Sequence, residues 1–477
     1  MAALGAVEVA EVSPADDMSS YMYTTPSKDL LEPICSMAFT SPADSEDDSY
    51  VMVHPDGKHS TSSPDYFAAI CAEVDNLSAG LRTVSLEIHD NPELQYKEFH
   101  AHKVLTEYLA RQPGWTVTPS AYGLATAFVA VFDSDRKGAV VSFNAEYDAL
   151  AGIGHACGHN LIAVMSVAGA LATAKVMKDE GIAGKVMLFG TPAEEGGGGK
   201  IKLLNAGAYT NVDISLIAHP GISPDAALVR TAAYFAFKAE YFGKEAHAAA
   251  RPWEGINALD ALITAYNATS VLRQQTEPGD IIQGMITNGG LRPNIIHAYS
   301  AGRFVVRSSS RARVEALKTR VFACFEAGAT ATGARLKLTP GGSYADHVPN
   351  HALGGSYRKY FNCLGGNIVE GNLDILRSAT SASTDQGNIS YAIPSIQPSC
   401  WIRSEDDTGR QLGGPHTPDF EKAARTEEAH GLAMRVAKAL AATAVDVLTR
   451  PELLAEVKRE FDETKLVDEL PRGADHW

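Results

Sequence analysis

Three groups of residues with metal-ligand side chains each follow a short apolar run. After 139–144 (AVVSFN) come Glu146-Tyr147-Asp148 and then His155-Ala156-Cys157-Gly158-His159. After 185–191 (KVMLFGT) comes Glu194-Glu195, and after 212–218 (VDISLIA) comes His219. Taken singly each is weak: a lone buried histidine usually satisfies a core, and paired glutamates usually line a surface. Together they sit where ligands collect in open α/β sheets, outside the carboxyl ends of strands. A thiolate with imidazoles suits Zn²⁺ or a similar first-row ion better than Mg²⁺ or Ca²⁺. Cys157 and His159 are two apart and would face different sides of a helix, so a loop is expected there. Of Glu194 and Glu195, one can hold an ion while the other faces water, the division that metal-assisted hydrolysis needs.

Gly196–Gly199 before Lys200 invites a phosphate-loop reading, which fails. The position five before Gly199 is Glu194, and Ile201 stands where Ser or Thr is required. Two carboxylates beside it would repel phosphate. The glycines instead let backbone pass close to the site and open a helix.

The elements that must position these groups follow from periodicity. Apolar residues Phe67, Ile70, Val74, Leu77, Leu81 and Val84 predict a helix over 65–89. Asn91-Pro92-Glu93-Leu94 breaks it and opens another helix through Ala110. The three β-rich runs alternate with helices over 161–177 and 200–206, which implies βαβ units and a mostly parallel sheet. The pattern then changes: strand 234–241, helix 255–273, strands 281–288 and 295–306, helix 311–328, strand 334–339. This β-α-β-β-α-β order is ferredoxin-like. Since 350–448 returns to mixed helix and strand, the α+β part is an insertion into an α/β domain.

Length and composition bound the rest. A chain of 477 residues exceeds one core. The net charge is −16, but residues 1–62 hold eleven acids and two bases, so −9 of it sits in a Ser-, Pro- and acid-rich tail expected to be disordered. The acidic balance argues against nucleic acid or an anionic membrane as partner. Six scattered cysteines make no disulfide framework. No apolar run reaches the ~20 residues of a membrane span, and no secretory or transit segment is visible, so a cytoplasmic home is expected.

The runs NPEL, NAEYDALAGIGHACGHN, TPAEEGGGGK, AHPG, GKEAHAAARPWEGINALDA, RPNIIHAY, STDQGNISY and HTPDF complete the picture. In this order they resemble a di-metal amidohydrolase and dipeptidase family. It includes aminoacylase, plant auxin-conjugate amidohydrolases and bacterial aminobenzoyl-glutamate hydrolase. The resemblance spans roughly residues 65 to 450 and is nearest the Xaa-Arg (β-alanyl-lysine) dipeptidase branch.

The resemblance implies a metallopeptidase domain over 64–232 and 342–450. It also implies an inserted lid and dimerisation domain over 233–341, between a tail at 1–63 and an extension at 451–477. It implies that Cys157, His159, Glu195, His219 and His416 bind one or two divalent ions per subunit, zinc first, with manganese or cobalt as alternatives. Glu194 would be the general base and then acid, and Asp148 would orient a ligand imidazole. His247 would reach the partner subunit's site in a homodimer, and Asn294 and Arg307 would grip a substrate carboxylate. The substrates implied are small dipeptides or N-acyl amino acids. Two departures stand out. Asn160 follows CGH where many relatives have Asp, as in the dipeptidase branch. Glu146-Tyr147-Asp148 stands where other branches carry a His-x-Asp ligand pair, which leaves the second ion open. Two rival readings remain: a cysteine hydrolase using Cys157, and a non-catalytic binding or regulatory member of the fold.

Overall fold

The computed structural model describes residues 66–406 and 408–469. The acidic tail expected over 1–63 lies outside them. Helix α1 (Tyr66–His89) buries Ile70, Val74, Leu77, Leu81, Val84 and Ile88, the stripe its periodicity requires. Helix α2 (Phe99–Ala110) begins later than the break at Asn91 suggests. The intervening residues turn, with Tyr96 at φ 58°. The Glu93 carboxylate then accepts from the backbone N–H groups of His100 and Ala101 at 2.8–3.0 Å. Those are first-turn donors that have no partner inside the helix.

The chain continues through β1 (Trp115–Pro119), β2 (Phe128–Asp133), β3 (Val140–Ala145), α3 (His159–Asp179), β4 (Lys185–Gly190), α4 (Gly199–Asn205), β5 (Ile214–Leu216) and β6 (His219–Gly221). The insertion follows as β7 (Ala233–Phe242), β8 (Ala246–His247), α5 (Ala258–Leu272), β9 (Ile281–Asn288), β10 (Ile295–Ile296), β11 (Tyr299–Ser308), α6 (Arg311–Thr332) and β12 (Arg335–Tyr344). The last part holds α7 (His351–Cys363), α8 (Gly371–Ser378), α9 (Gln386–Ser390), β13 (Ser395–Ile396), β14 (Ser399–Trp401), α10 (Pro418–Ala424), α11 (Glu427–Thr449) and α12 (Pro451–Glu469).

The main sheet has the order β1-β2-β4-β3-β5-β13. β4, β3, β5 and β13 run parallel, and the β1–β2 hairpin adds an antiparallel edge that the periodicity of 115–133 does not reveal. Both faces are covered. Val186 and Leu188 of β4 enter the large core with α1, α3 and α11, while Met187 and Phe189 enter a second cluster with Leu203, Tyr209 and Ile389. A strand buried on both sides shows a continuous apolar run instead of alternation. Helix α3 is long and apolar enough to cross a membrane by length and composition, contrary to the expectation that no run reaches that length. However, 94% of its apolar window is buried within the fold, as befits a core helix.

The insertion forms its own sheet, β12-β7-β11-β9, antiparallel throughout, as the ferredoxin-like reading requires. Its core is Phe235, Phe237, Phe304, Leu317 and Phe325 packed under α5 and α6. The single strand expected over 295–306 is two. β10 leaves the sheet to pair with β8, placing Ile295 opposite His247, before β11 begins at Tyr299. The segment beyond 450 is a packed helix: α12 buries Leu453 and Val457.

Candidate metal centre

Each metal-type group lies just beyond a parallel strand of the main sheet. Glu146 and Asp148 follow β3, Glu194 and Glu195 follow β4, and His219 opens β6 just after β5. His159 is the first residue of α3, and Gly158 before it is the N-cap, at φ 77°. A Cβ at Gly158 would meet Pro220 Cγ at 2.6 Å, so this residue between Cys157 and His159 must be glycine on both counts. The kink lets residues two apart converge, which a helix would forbid.

The donor atoms form overlapping sets. Cys157, His159 and His219 make one and Cys157, Glu195 and His416 another, the three donor atoms of each lying within 4.8 Å of one another. The two sets share the Cys157 sulfur. Cys157 Sγ is 3.3 Å from His219 Nε2. His416 Nε2 is 3.2 Å from Glu195 Oε1, and its backbone N–H is tied to Ala156 O at 2.8 Å. His416 adopts φ 70°, a conformation uncommon outside glycine.

Hydrogen bonds fix the orientation of these donors. Asp148 takes His159 Nδ1 at 3.1 Å on one oxygen and the Glu195 backbone N–H at 3.0 Å on the other. His219 donates from Nδ1 to the Pro220 carbonyl at 2.7 Å, since a carbonyl only accepts. Both imidazoles therefore turn Nε2 toward the centre, the arrangement of metal-binding histidines. His159 Nε2 is buried without a hydrogen-bond partner, a cost that a bound cation would remove.

Electrostatics separate the neighbouring glutamates. Burial, reinforced by Glu146, Glu195 and Asp385, holds the Glu194 carboxyl well above the usual range. Burial also works against ionised Glu195, but His416 and His159 bring it down to about 2. These directions describe the donors alone; a divalent ion would favour the ionised forms of both.

The remaining expected residues lie apart from this cluster or act on it indirectly. His247 is exposed on β8, and its Nδ1 accepts from the backbone N–H groups of Ala249 and Ala250 at 3.3 and 3.1 Å. Asn294, also exposed, accepts on its backbone carbonyl from Ala248 N–H at 3.1 Å, beside His247. Arg307 bonds Ser383 Oγ at 3.0 Å and lies over the Tyr234 ring at 5.1 Å.

The roles of three residues near the centre went unread. Lys200, fully buried, bonds both Glu146 and Asp385. Tyr344 holds the loop that carries Glu194. The Glu146 side chain, read in sequence among the metal-ligand types and at the place of a ligand pair but not assigned as a ligand, makes a third donor set with His159 and Glu194.

The sequence profile of Peptidase family M20/M25/M40 matches residues 131–446. The chain is 40% identical over 405 residues to the Xaa-Arg dipeptidase of Homo sapiens, covering 81% of this chain and 90% of that protein. It is 27% identical over 448 residues to a p-aminobenzoyl-glutamate hydrolase polypeptide of Escherichia coli (strain K12), covering 79% of this chain and 91% of that protein. Among solved structures, a dinuclear metal-binding M20 peptidase of Bacillus subtilis matches with a TM-score of 0.58 at 18% identity, over 78% of this chain and 99% of that one. At that identity the likeness is one of fold.

Proposed function

The chain belongs to peptidase family M20/M25/M40, and from that membership we propose that it cleaves small dipeptides with a basic C-terminal residue at a zinc centre. It is a metal-dependent hydrolase acting on C–N bonds of peptides or linear amides. The ligands we assign are Cys157, His159, Glu195, His219 and His416. The observation that carries this is the pair of donor sets sharing one sulfur, with His159 Nε2 buried without a hydrogen-bond partner.

Divalent ions at such a centre lower the pKa of water and polarise a carbonyl oxygen. Glu194 takes the proton of the attacking water and returns it to the leaving amine. Glu194 lies beside the donor sets, buried among Glu146, Glu195 and Asp385, within reach of a water held there. Asp148 fixes the His159 ring and the Glu195 backbone together. His247 accepts two backbone N–H groups on Nδ1, so its Nε2–H is left to donate to an oxyanion. Arg307 and Asn294 hold the substrate carboxylate.

His247 stands exposed on the insertion, which suits a site completed by a second copy. The insertion also exposes Ile263, Tyr266 and Val271 on α5 and Met285 and Ile286 on the free edge strand β9. Apolar residues on an unpaired edge call for a cover, and a C2 homodimer is the commonest. Substrate choice rests on the 40% identity to the human Xaa-Arg dipeptidase. A cysteine nucleophile is disfavoured. Cys157 is buried, burial pushes its thiol well above the ordinary value, and reactive thiols need the opposite.

The test is Zn²⁺-reconstituted protein incubated with a panel of dipeptides and N-acyl amino acids, read by mass spectrometry. Preferential loss of dipeptides ending in Lys or Arg is expected. Cleavage confined to acyl amino acids would move the substrate class, and bound metal with no turnover across the panel would favour a non-catalytic member.

A further inference from the structure

Directly behind the donor sets lies a buried ion cluster that the reaction as described does not use. Glu146, Lys200 and Asp385 are all fully buried. The Lys200 ammonium takes Oε1 of Glu146 and Oδ1 of Asp385, and the Lys200 backbone N–H donates to the other Asp385 oxygen at 2.8 Å. Asp385 is thus satisfied on both oxygens. Glu146 is not: its Oε2 has no hydrogen-bond partner, and neither has His159 Nε2, 3.4 Å away. Two carboxylates on one ammonium also leave an excess negative charge in the interior, where an uncompensated charge is costly.

We propose that Glu146 is itself a donor of the metal centre, reaching it through the set it forms with His159 and Glu194, and that Lys200 is the positioning residue that aims it. Three observations carry this. First, Lys200 takes one carboxylate oxygen and leaves the other to face the donors. Second, Asp148 occupies His159 Nδ1, so the atom opposite Glu146 is the one left for an ion. Third, the spacing fits. Donors held at about 2.0–2.3 Å around a tetrahedral ion lie about 3.3–3.8 Å from one another. His159 Nε2 to Glu146 Oε2 is 3.4 Å, and the donor atoms of Glu146, His159 and Glu194 lie within 4.8 Å of one another. The rival is a purely structural ion cluster, in which Glu146 serves the fold and no ion feels it. The proposal rests on the metal-centre reading above.

The test uses demetallated full-length protein, with Zn²⁺ returned in competition with a chromophoric chelator and Co²⁺ returned for its visible spectrum. Glu146→Gln keeps the shape and removes the charge. Glu146→Asp keeps the charge beside Lys200 and withdraws the second oxygen by one methylene. Both are expected to bind Zn²⁺ roughly 10–100-fold more weakly than the parent and to change the Co²⁺ band. Melting curves of the demetallated proteins identify which variants fold, and Glu146→Asp carries the test if Glu146→Gln does not. A folded variant with the parent's Zn²⁺ affinity and Co²⁺ spectrum overturns the proposal. Cys157→Ala is the control. If it binds Zn²⁺ as tightly as the parent, the metal centre itself has been misplaced, which is a different failure.

Discussion

The phenol of Tyr344 donates to the backbone carbonyl of Glu194 at 2.6 Å. The phenol oxygen in turn accepts from the N–H groups of Gly196 and Gly198 at 3.1 and 2.9 Å. Tyr344 is the last residue of β12, so one side chain at the edge of the insertion fixes the backbone that carries both site glutamates. Its ring stacks edge-on against Tyr234, over which Arg307 lies. The residue assigned to the substrate carboxylate is therefore linked through two aromatic rings to the loop of the proposed base.

Tyr344→Phe keeps the ring and removes the three bonds. Leaving the buried Gly198 N–H unpaired costs about 1–3 kcal/mol, part of which the loop recovers by moving. The expected result is a kcat roughly 10–100-fold lower with KM little changed, because the loop positions Glu194 and not the substrate. Equal loss in kcat and thermal stability, with both restored at low temperature, would mark Tyr344 as structural only.

Glu194→Gln should retain metal and lose about 10²–10⁴ in kcat, the usual range for a general acid–base group. Metal analysis and steady-state kinetics on one preparation decide it. Normal turnover would remove Glu194 from the role.

Chelation separates the proposed chemistry from a thiol nucleophile. Activity should vanish on dialysis against a chelator and return with Zn²⁺, Mn²⁺ or Co²⁺. Survival of full activity in verified metal-free protein would restore Cys157 as the candidate nucleophile.

A shared site has its own signature. Glu194→Gln and His247→Ala should each be nearly inactive alone. A mixed dimer contains one site with both native residues, so coexpression should restore part of the activity. Verified mixed dimers that stay inactive would place His247 in its own chain's site or outside the reaction.

The pH dependence of stability should carry a histidine remote from the centre. His347 is fully buried, with Nδ1 on Val229 O at 2.9 Å and Nε2 near Ser395 Oγ at 3.3 Å, and burial lowers it from 6.5 to about 4. Between those values the unfolded chain binds a proton that the fold refuses, so stability falls as pH drops from about 6.5 towards 4. The full effect is on the order of 3 kcal/mol. Urea melts of the parent and His347→Gln should converge over that window. Parallel curves would deny His347 the effect.

Sequence carried the donor groups because their residue types are rare together and because strand ends collect them. Cys157, His159, Glu194, Glu195 and His219 were legible on those grounds, and His416 only through the HTPDF resemblance. Lys200 was not. In a Gly-rich run it reads as a phosphate residue or a helix start, whereas its partners are 54 and 185 residues away and only the folded chain joins them. Tyr344 was hidden likewise, since a tyrosine ending a strand gives no hint of the backbone it holds. The β1–β2 hairpin was missed because Phe128 and Val129, next to each other in β2, pack into different clusters, and alternation between two apolar faces leaves no period to read. The break between β10 and β11 is tertiary as well: Ile295 and Ile296 suit any strand, and their partners His247 and Ala246 lie far back in the chain.

The insertion enters and leaves the main fold on adjacent strands, with Tyr344 opposite Tyr234. Facing residues of an antiparallel pair have Cα atoms about 4.5–5.5 Å apart. The host thus experiences more than a hundred residues as little more than a wide turn, because the gap to be bridged does not grow with what is inserted. Such a doorway makes the segment a cassette. It can be enlarged, exchanged between relatives or cut back to a short link without dragging the main sheet out of register. Selection can therefore reshape the insertion while the donors stay where β3, β4 and β5 put them.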